Sequence, residues 1–370
     1  MSKAAELAAL IGSQTALSNR NLIINGAMQV WQRGVAATTV VDGAYHCDRY
    51  SSNNGTGGAY TTERSTDTPT GTGFSLKAQV TTADTSLTGT QYAFIEHNIE
   101  AQNLQSLRYG TSNAKNITLS FSVKSSKTGT YTVLLRKLSG TDCHLVHEYT
   151  IDSANTWERK EITISPTAGS TSIITASTGA IAADNENGLQ VGWGFAYGPD
   201  YKTATNNTWS TNTNHYSTSN QVNWLDSTSN NFYLTEVQLE VGEQATAFEH
   251  RSFGDELRRC KRYFTRMSDT DGLGNDGLAF AGLMANTVAA RFAGRVLMPM
   301  RTDPTLSVTN DTQFFVRVGG GSFAPSSGMS FQSHDNGAFI IACSSSSSQT
   351  SGSGVTIESE GAHIDADAEL

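Results

Sequence analysis

The sequence predicts an all-β protein: an antiparallel β-sandwich and a smaller C-terminal β-domain joined by a short helix, with another short helix at the N-terminus. Three observations carry this. Segments of six to nine residues recur with apolar side chains at every second position. Clusters of Gly, Asn, Asp and Ser separate them, where an α/β protein would show long helical periods. The 370 residues include 34 Gly, only 37% are apolar and 16% charged, so uncharged polar residues fill the remainder, as in a strand-and-turn protein. The regular recurrence of aromatic residues sets the chain apart from a disordered one.

In chain order, residues 1–19 form a helical attachment segment, 20–252 the sandwich, 253–267 the linking helix and 268–370 the C-terminal β-domain. Within the first segment, residues 3–12 read as a helix with Leu7, Leu10 and Ile11 on one side and Gly12 at its end. A helix of about ten residues is marginal alone in water. It therefore packs on the body of the chain, a symmetry mate or a neighbouring protein. With a Lys and a Glu in its opening stretch, it does not read as a signal peptide.

The sandwich opens with NLIINGAMQVWQRG: Leu22, Ile23 and Ile24 as a short strand, Asn25-Gly26 as a turn, then Met28, Val30 and Trp31. Ile117, Leu119, Phe121 and Val123 alternate with Thr118, Ser120, Ser122 and Lys124. Tyr131, Val133 and Leu135 follow a turn at 127–129, and then come Trp157 to Ile164 and the row Leu189, Val191, Trp193, Phe195 and Tyr197. Strands of this length with turn signals between them indicate an antiparallel sandwich. Between Tyr197 and Phe232 the texture changes: Tyr201, Trp209, His215, Tyr216 and Trp224 stand among amides and hydroxyls, in a stretch too long for a hairpin. Rings spaced in such a bed suit sugars, whose C–H faces stack on aromatics and whose hydroxyls pair with the polar side chains. These five are the candidate glycan contacts; the competing reading makes Trp209 and Trp224 anchors of a surface excursion.

The stretch FYLTEVQLEVGEQATAFEHRSFGDELRRCKRYF joins the two halves. Tyr233, Thr235, Val237, Leu239 and Val241 share one strand face, predicting that Tyr233, Val237 and Leu239 look into the core. Ser252 and Asp255 have capping-box spacing, and Phe253, Leu257, Cys260 and Phe264 recur at 4-3-4 intervals as the apolar stripe of a helix, the candidate oligomer contact. Beyond SDTDGLGNDG, short strands follow through LAFAGL, RVLMP, TLSV, QFFVRV, GMSFQ and AFIIAC, the run Ser344–Ser348 reads as a loop tip, and VTIESEGAHIDADAEL returns to strand alternation.

A net charge of −9 argues against a nucleic-acid groove, which needs a basic face. No apolar run approaches the roughly 20 residues that span a bilayer, so membrane insertion is not expected. The four cysteines, Cys47, Cys143, Cys260 and Cys343, contain no CxxC pair and read as buried thiols.

Three segments occur in an order that resembles a family of bacteriophage virion proteins, the tail fibres and minor structural proteins: NLIINGAMQVWQRG, then WERKEITI with GLQVGWGFAYG, then FYLTEVQLEVGEQATAFEHRSFGDELRRCKRYF. The main domain is similar to jelly-roll carbohydrate-binding modules of the galactose-binding-like type. The resemblance implies a jelly roll in a non-enzymatic virion protein assembled in the host cytoplasm, most simply a receptor-binding tail fibre. It further implies a homotrimer, contacts to other tail or capsid proteins through the N-terminus, and a host surface glycan as partner. A capsid decoration protein or head fibre without host recognition is the alternative, and a glycan-degrading tailspike a third reading. Such modules often hold a structural calcium through an acidic residue just after the opening turn. Here Ala27, Met28 and Gln29 follow Asn25-Gly26, and Glu236 and Glu240 alone could supply charge, so no cofactor is expected, a structural calcium being the one candidate.

Other constellations are weaker. In CHLVH, His144 and His147 are three apart on a strand and point to opposite faces. Asp269, Asp271 and Asp276 lack the closing Glu of an EF-hand. His46, Cys47 and Asp48 would alternate along a strand, which separates a thiol from a base. GxSxG, P-loop and HExxH motifs are absent from the sequence.

Overall fold

The computed structural model describes residues 19–267, 279–296, 298–308, 314–318, 321–323, 328–334, 338–344, 350–359 and 363–370. Leu7, Leu10 and Ile11, with the stretch containing Asp269, Asp271 and Asp276, lie outside these. The chain forms two compact units, the first reaching Glu256 and joined by Leu370, the second spanning Leu257–Glu369. Among the described residues no helix is long and apolar enough to cross a membrane.

The first unit is a jelly-roll β-sandwich of two six-stranded antiparallel sheets. The first sheet has the order β1 (Thr38–Thr39), β4 (Ala59–Ser65), β5 (Ser75–Thr82), β12 (Asn231–Val241), β7 (Ile117–Ser125) and β10 (Glu158–Ile164). The second has the order β2 (Ala44–Tyr45), β3 (Tyr50–Asn54), β6 (Tyr92–Glu100), β11 (Asn187–Tyr197), β8 (Gly129–Lys137) and β9 (Cys143–Ile151). The regular period-two strands of the sandwich, Ile117–Ser125, Gly129–Lys137, Glu158–Ile164 and Asn187–Tyr197, are here. Ile117, Leu119, Phe121 and Val123 face inward from β7, as do Tyr131, Val133 and Leu135 from β8. Phe195 packs 4.9 Å from Phe232 and 4.6 Å from Trp224, ring centre to ring centre. Burying each such ring stabilises the sandwich by about 2–3 kcal/mol before entropy is counted.

Strand β12 departs from its alternation. Phe232 and Leu234 are buried in the core, then Val237 and Leu239, while Tyr233 is half-buried on the outer face. Tyr233 therefore does not face the core as the alternation predicts. A β-bulge between Thr235 and Gln238 inserts a residue, and Glu236 at its centre sits in the left-handed region at φ 52°. An extra residue shifts the pleat by one, so letters that alternate through it belong to two different faces.

The bulge lets β12 change partner. Before it, residues 231–234 pair with β5; after it, the Val237 N–H donates to Gly26 O at 2.9 Å and the Leu22 N–H to Leu239 O at 2.8 Å. The predicted strand at Leu22–Ile24 is thus an irregular rail along β12. A Cβ on Gly26 would stand 2.1 Å from Val237 O, so only glycine fits there. Asn25, at φ 60°, turns the chain: its side-chain oxygen accepts from the Gln29 and Val30 amides, and its Nδ2 donates to Val30 O and Asp48 O. Arg251 fastens the exit to this entry, donating to Ile23 O at 3.0 Å while pairing with Glu249 and Glu256, each at 3.0 Å. Glu256 in turn accepts the Asn25 amide at 2.6 Å.

Helix α1 (Phe253–Cys260) begins as read, with Ser252 Oγ accepting the Asp255 amide and donating to its carboxylate. It is shorter than the predicted 253–267. The chain leaves the helix after Cys260, and Phe264 opens β13 (Phe264–Met267). The 4-3-4 apolar spacing runs on past the helix because strand pairing with the chain's last strand overrides it.

In the second unit, β13, β22 (Ile364–Asp367) and β16 (Thr305–Val308) form a three-stranded sheet. Arg266 and Asp365 cross it as a two-pronged ion pair at 2.8 and 2.7 Å. The larger sheet runs β18 (Gly321–Phe323), β17 (Phe314–Val318), β21 (Gly354–Ser359), β14 (Ala279–Met284), β15 (Ala289–Arg295), β20 (Ala338–Ser344) and β19 (Ser330–His334). Phe292, Phe314, Phe339, Ile341 and Ile357 lie in its core. The described part of RVLMP, predicted as a strand, is irregular beyond Arg295.

Candidate functional site

The outer face of the second sheet collects the aromatic and polar side chains that the core does not use. On β6, Ala93, Ile95 and Ile99 point into the core, so Phe94, Glu96 and Asn98 point out. The strand register aligns them into rungs: Asn98–Gln190–Arg136–His144, then Ser51–Glu96–Gly192–Leu134–Val146, then Asn53–Phe94–Gly194, with Thr132 paired to Glu148 beyond the end of the β11–β8 ladder. The first rung is a hydrogen-bonded row: Gln190 donates to Asn98 Oδ1 at 2.9 Å and accepts from Arg136 at 2.6 Å.

A second bulge, between Gly194 and Ala196 on β11, brings Tyr197 onto this outer face, against the expected alternation. Its ring lies over Gly194, where a Cβ would meet it at 2.6 Å. Phe94 and Tyr197 stack at 6.1 Å.

Above this floor comes the excursion after Tyr197. Ser217 N–H donates to Tyr201 O at 2.9 Å, which sets residues 201 and 216 side by side, and their rings meet at 4.4 Å. Tyr92 stands 6.3 Å from Tyr201, and Phe94 6.2 Å from Tyr216. Arg136 lies 5.3 Å over the Tyr216 ring, and His144 meets it edge-on at 5.7 Å. Tyr92, Tyr201 and Tyr216 are each half-buried, so all three show part of their rings to solvent.

The electrostatics follow from burial. Tyr92 donates to Asp42 at 2.9 Å; burial and that carboxylate push its phenol up to about 12. Burial, then Arg136, holds His144 down to about 4. Burial pushes the Glu96 carboxyl up to about 7, against the pull of Arg136 and of hydrogen bonds from Ser51 and Asn53.

The five predicted sugar contacts separate into two groups. Tyr201 and Tyr216 come together in the cluster, with His215 beside them; it pairs with Asn212 at 3.0 Å, and its carbonyl faces His144 Nδ1 at 3.3 Å. Trp209 and Trp224 do not belong to it. They are only 1% and 0% exposed, and their indole N–H groups donate to Ser165 O and Asn231 O. Both pin the excursion to the sandwich, because a buried indole N–H needs an acceptor and each finds a main-chain carbonyl. Tyr92, Phe94, Glu96, Asn98, Arg136 and Gln190 were not singled out from the sequence, although Tyr92 to Ile99 alternates in the manner of a two-faced strand, and Tyr197 was read only as the end of an apolar strand row.

Of the predicted oligomer stripe, Cys260 and Phe264 are buried within the chain, Leu257 is half-buried and Phe253 is 56% exposed, so two of the four present surface. A calcium ion does not fit the donors near the opening turn. Glu240 already accepts from Thr246 and Gln238, Glu236 from Ser122, and the Asn25 side chain closes the turn that a cation would otherwise cross-link. His144 and His147 point to opposite faces of β9. Cys47 is buried against Met28 and Asn25, with its thiol pushed up by burial, while His46 turns to Thr62 and Asp48 to Gln32.

No protein-family model and no curated sequence matches the chain. Among solved structures it is similar to the family 11 carbohydrate-binding module of the cellulosomal cellulase Lic26A-Cel5E of Clostridium thermocellum, at 16% identity and TM-score 0.29, over 58% of this chain and 99% of that one. That module, also solved in complex with a β-1,3-1,4-mixed-linked tetrasaccharide, matches at TM-score 0.28, 16% identity, over 59% and 99%. The enzymatically active domain of tailspike protein 4 of bacteriophage CBA120 matches at 11% identity and TM-score 0.30, over 60% of this chain and 22% of that one.

Proposed function

We propose that this chain is a non-enzymatic glycan-binding protein whose site is the outer face of the second sheet. One observation carries the reading: three half-exposed tyrosines, Tyr92, Tyr201 and Tyr216, cluster on this face, with the half-exposed Arg136 guanidinium 5.3 Å over the Tyr216 ring and the exposed Asn212 beside His215. Rings of this kind give the apolar face of a pyranose a stacking surface, and the Arg136 guanidinium and the Asn212 amide match its hydroxyls as donors and acceptors.

The motifs in NLIINGAMQVWQRG and FYLTEVQLEVGEQATAFEHRSFGDELRRCKRYF support the finer reading of a virion structural protein, a homotrimeric tail fibre that presents this face to host surface glycans. The exposed Phe253 on α1 is the side chain through which copies would meet.

A glycan array probed with the full chain and with a Tyr201→Ala/Tyr216→Ala double variant tests the binding reading. Signal from the full chain that the double variant loses supports it; an empty array, or equal signal from both, overturns it. Mass photometry at micromolar concentration tests the trimer, and a monomer there would end that part of the reading. Fractionating phage particles into heads and tails tests the location.

A further inference from the structure

We propose that the outer face of the first sheet holds a second ligand site, one that takes the end residue of a neutral sugar chain. It shares the ligand class of the reading above but none of its residues, so either can fail alone.

The site follows from the bulge in β12. Leu234 and Val237 both belong to the core, which leaves two successive residues, Thr235 and Glu236, on the outer side. Two cavities open there, of about 140 and 470 Å³, and Glu236, Phe248 and His250 are the wall they share. The smaller one is close to the roughly 150 Å³ that admits a six-membered ring. The larger leaves room for the next residue of a chain.

The walls are held in place. Phe248 and His250 lie on the segment after β12, which is tied to both neighbouring strands. Gln238 accepts the Glu249 amide and Glu240 the Thr246 amide, each at 2.8 Å, while Arg159 of β10 donates to Thr246 O at 3.1 Å. On the opposite side, Thr68 donates to Thr72 O at 2.9 Å and Thr235 to Phe74 O at 2.7 Å, which fixes the loop before β5. A preformed cavity of this kind binds without an ordering cost.

Its polar groups are unspent. Ser122 donates to one Glu236 oxygen at 2.7 Å, and the other accepts from no group among the described residues. The Gln29 side-chain amide and the His250 imidazole, both lining the smaller cavity, make no hydrogen bond among the described residues. The His250 ring meets Phe248 edge-on at 5.0 Å.

These groups choose the ligand. A carboxylate oxygen accepts, an amide does both, and a neutral imidazole donates from one nitrogen and accepts at the other. Hydroxyls, which also do both, satisfy all three. An ammonium ion has no acceptor for the Gln29 amide N–H groups. An anion meets Glu236 in both cavities and Glu161 in the larger, where Arg159 already donates to Glu161 at 3.1 Å. The Phe248 ring offers an apolar wall to the C–H face of a sugar.

Calorimetric titration of the full chain tests this, with the methyl glycosides of glucose, galactose and mannose beside a methyl glucuronide and a methyl glucosaminide. The Tyr201→Ala/Tyr216→Ala variant is expected to keep binding one neutral glycoside. Adding Gln29→Ala and His250→Ala to it is expected to weaken that binding about tenfold. A thermal melt shows whether this quadruple variant is folded; His250→Ala alone, at an exposed position, is expected to show a smaller loss in the same direction. Three outcomes overturn the proposal and leave the tyrosine face in place: all binding lost in the tyrosine variant, equal binding with and without the Gln29 and His250 changes, or a charged glycoside as the tightest ligand. Binding that the tyrosine variant keeps in full and the Gln29→Ala/His250→Ala pair abolishes supports this site and counts against the tyrosine face. Silence of the wild type towards every probe overturns both.

Discussion

The rings of Tyr201 and Tyr216 meet at 4.4 Å with an angle of 36° between their planes, held there by the hydrogen bond from Ser217 N–H to Tyr201 O. Neither ring enters the hydrophobic core. On the glycan-binding reading, their contribution falls on binding. Tyr201→Ala or Tyr216→Ala is expected to weaken glycan affinity by about 1 kcal/mol each, roughly fivefold, with little change in melting temperature. Calorimetric titration beside a thermal melt checks both halves of the statement.

Trp209 and Trp224 give the opposite pattern. Each fills core volume and donates its indole N–H to a carbonyl. Replacement by Ala should cost about 3–5 kcal/mol of stability, and urea denaturation reads this directly. Loss of sugar binding at unchanged stability would return these two residues to the binding surface.

The Glu96 carboxyl makes stability depend on pH. It titrates at about 7 in the folded chain and at 4.5 when exposed, so between those values the folded state binds the proton more tightly. The contribution of Glu96 to stability therefore falls as pH rises from about 4.5 to 7 and is level above that. Glu96→Gln should match the wild type near pH 4 and exceed it by about 3–4 kcal/mol at pH 8, two and a half pK units at about 1.4 kcal/mol each. Denaturant midpoints of both proteins across that range supply the comparison.

Arg251 is buried among Glu249, Glu256 and the carbonyls of the opening segment. Arg251→Met leaves two carboxylates without their cation, which should cost about 3–5 kcal/mol. A charge-neutral triple replacement, Arg251→Met with Glu249→Gln and Glu256→Gln, should recover part of the loss. If the single variant melts with the wild type, the entry and exit of the sandwich are held by something else.

Much of the sandwich was legible because a buried strand face writes itself into every second residue, as in Ile117 to Lys124. What escaped was the bulge. One inserted residue at Glu236 leaves no mark when Tyr233, a residue at home on either face, stands where the alternation wants an apolar one. The same holds at Gly194–Ala196, where the bulge turns Tyr197 outward. The two tryptophans misled for a different reason. Their polar neighbours suggested solvent, but those neighbours were serving main-chain groups of the excursion, and the acceptors for the indoles lie up to 44 residues away in sequence. Helix α1 was read from real caps, yet its periodicity could not show that Phe264 already belongs to a sheet completed by Asp365. The floor of the site depends on cross-strand register between β3, β6, β8 and β11, which no local pattern contains.

The fastening of the opening segment to β12 and Arg251 has a consequence for biosynthesis. Asn21 and Glu249 are 228 residues apart along the chain. At about 5–20 residues per second, the opening segment of the sandwich spends roughly ten to fifty seconds without its partner. During that time the nascent sandwich lacks β12, which closes its first sheet between β5 and β7, and the aromatic core beneath that seam stays open to chaperones or to a neighbouring chain.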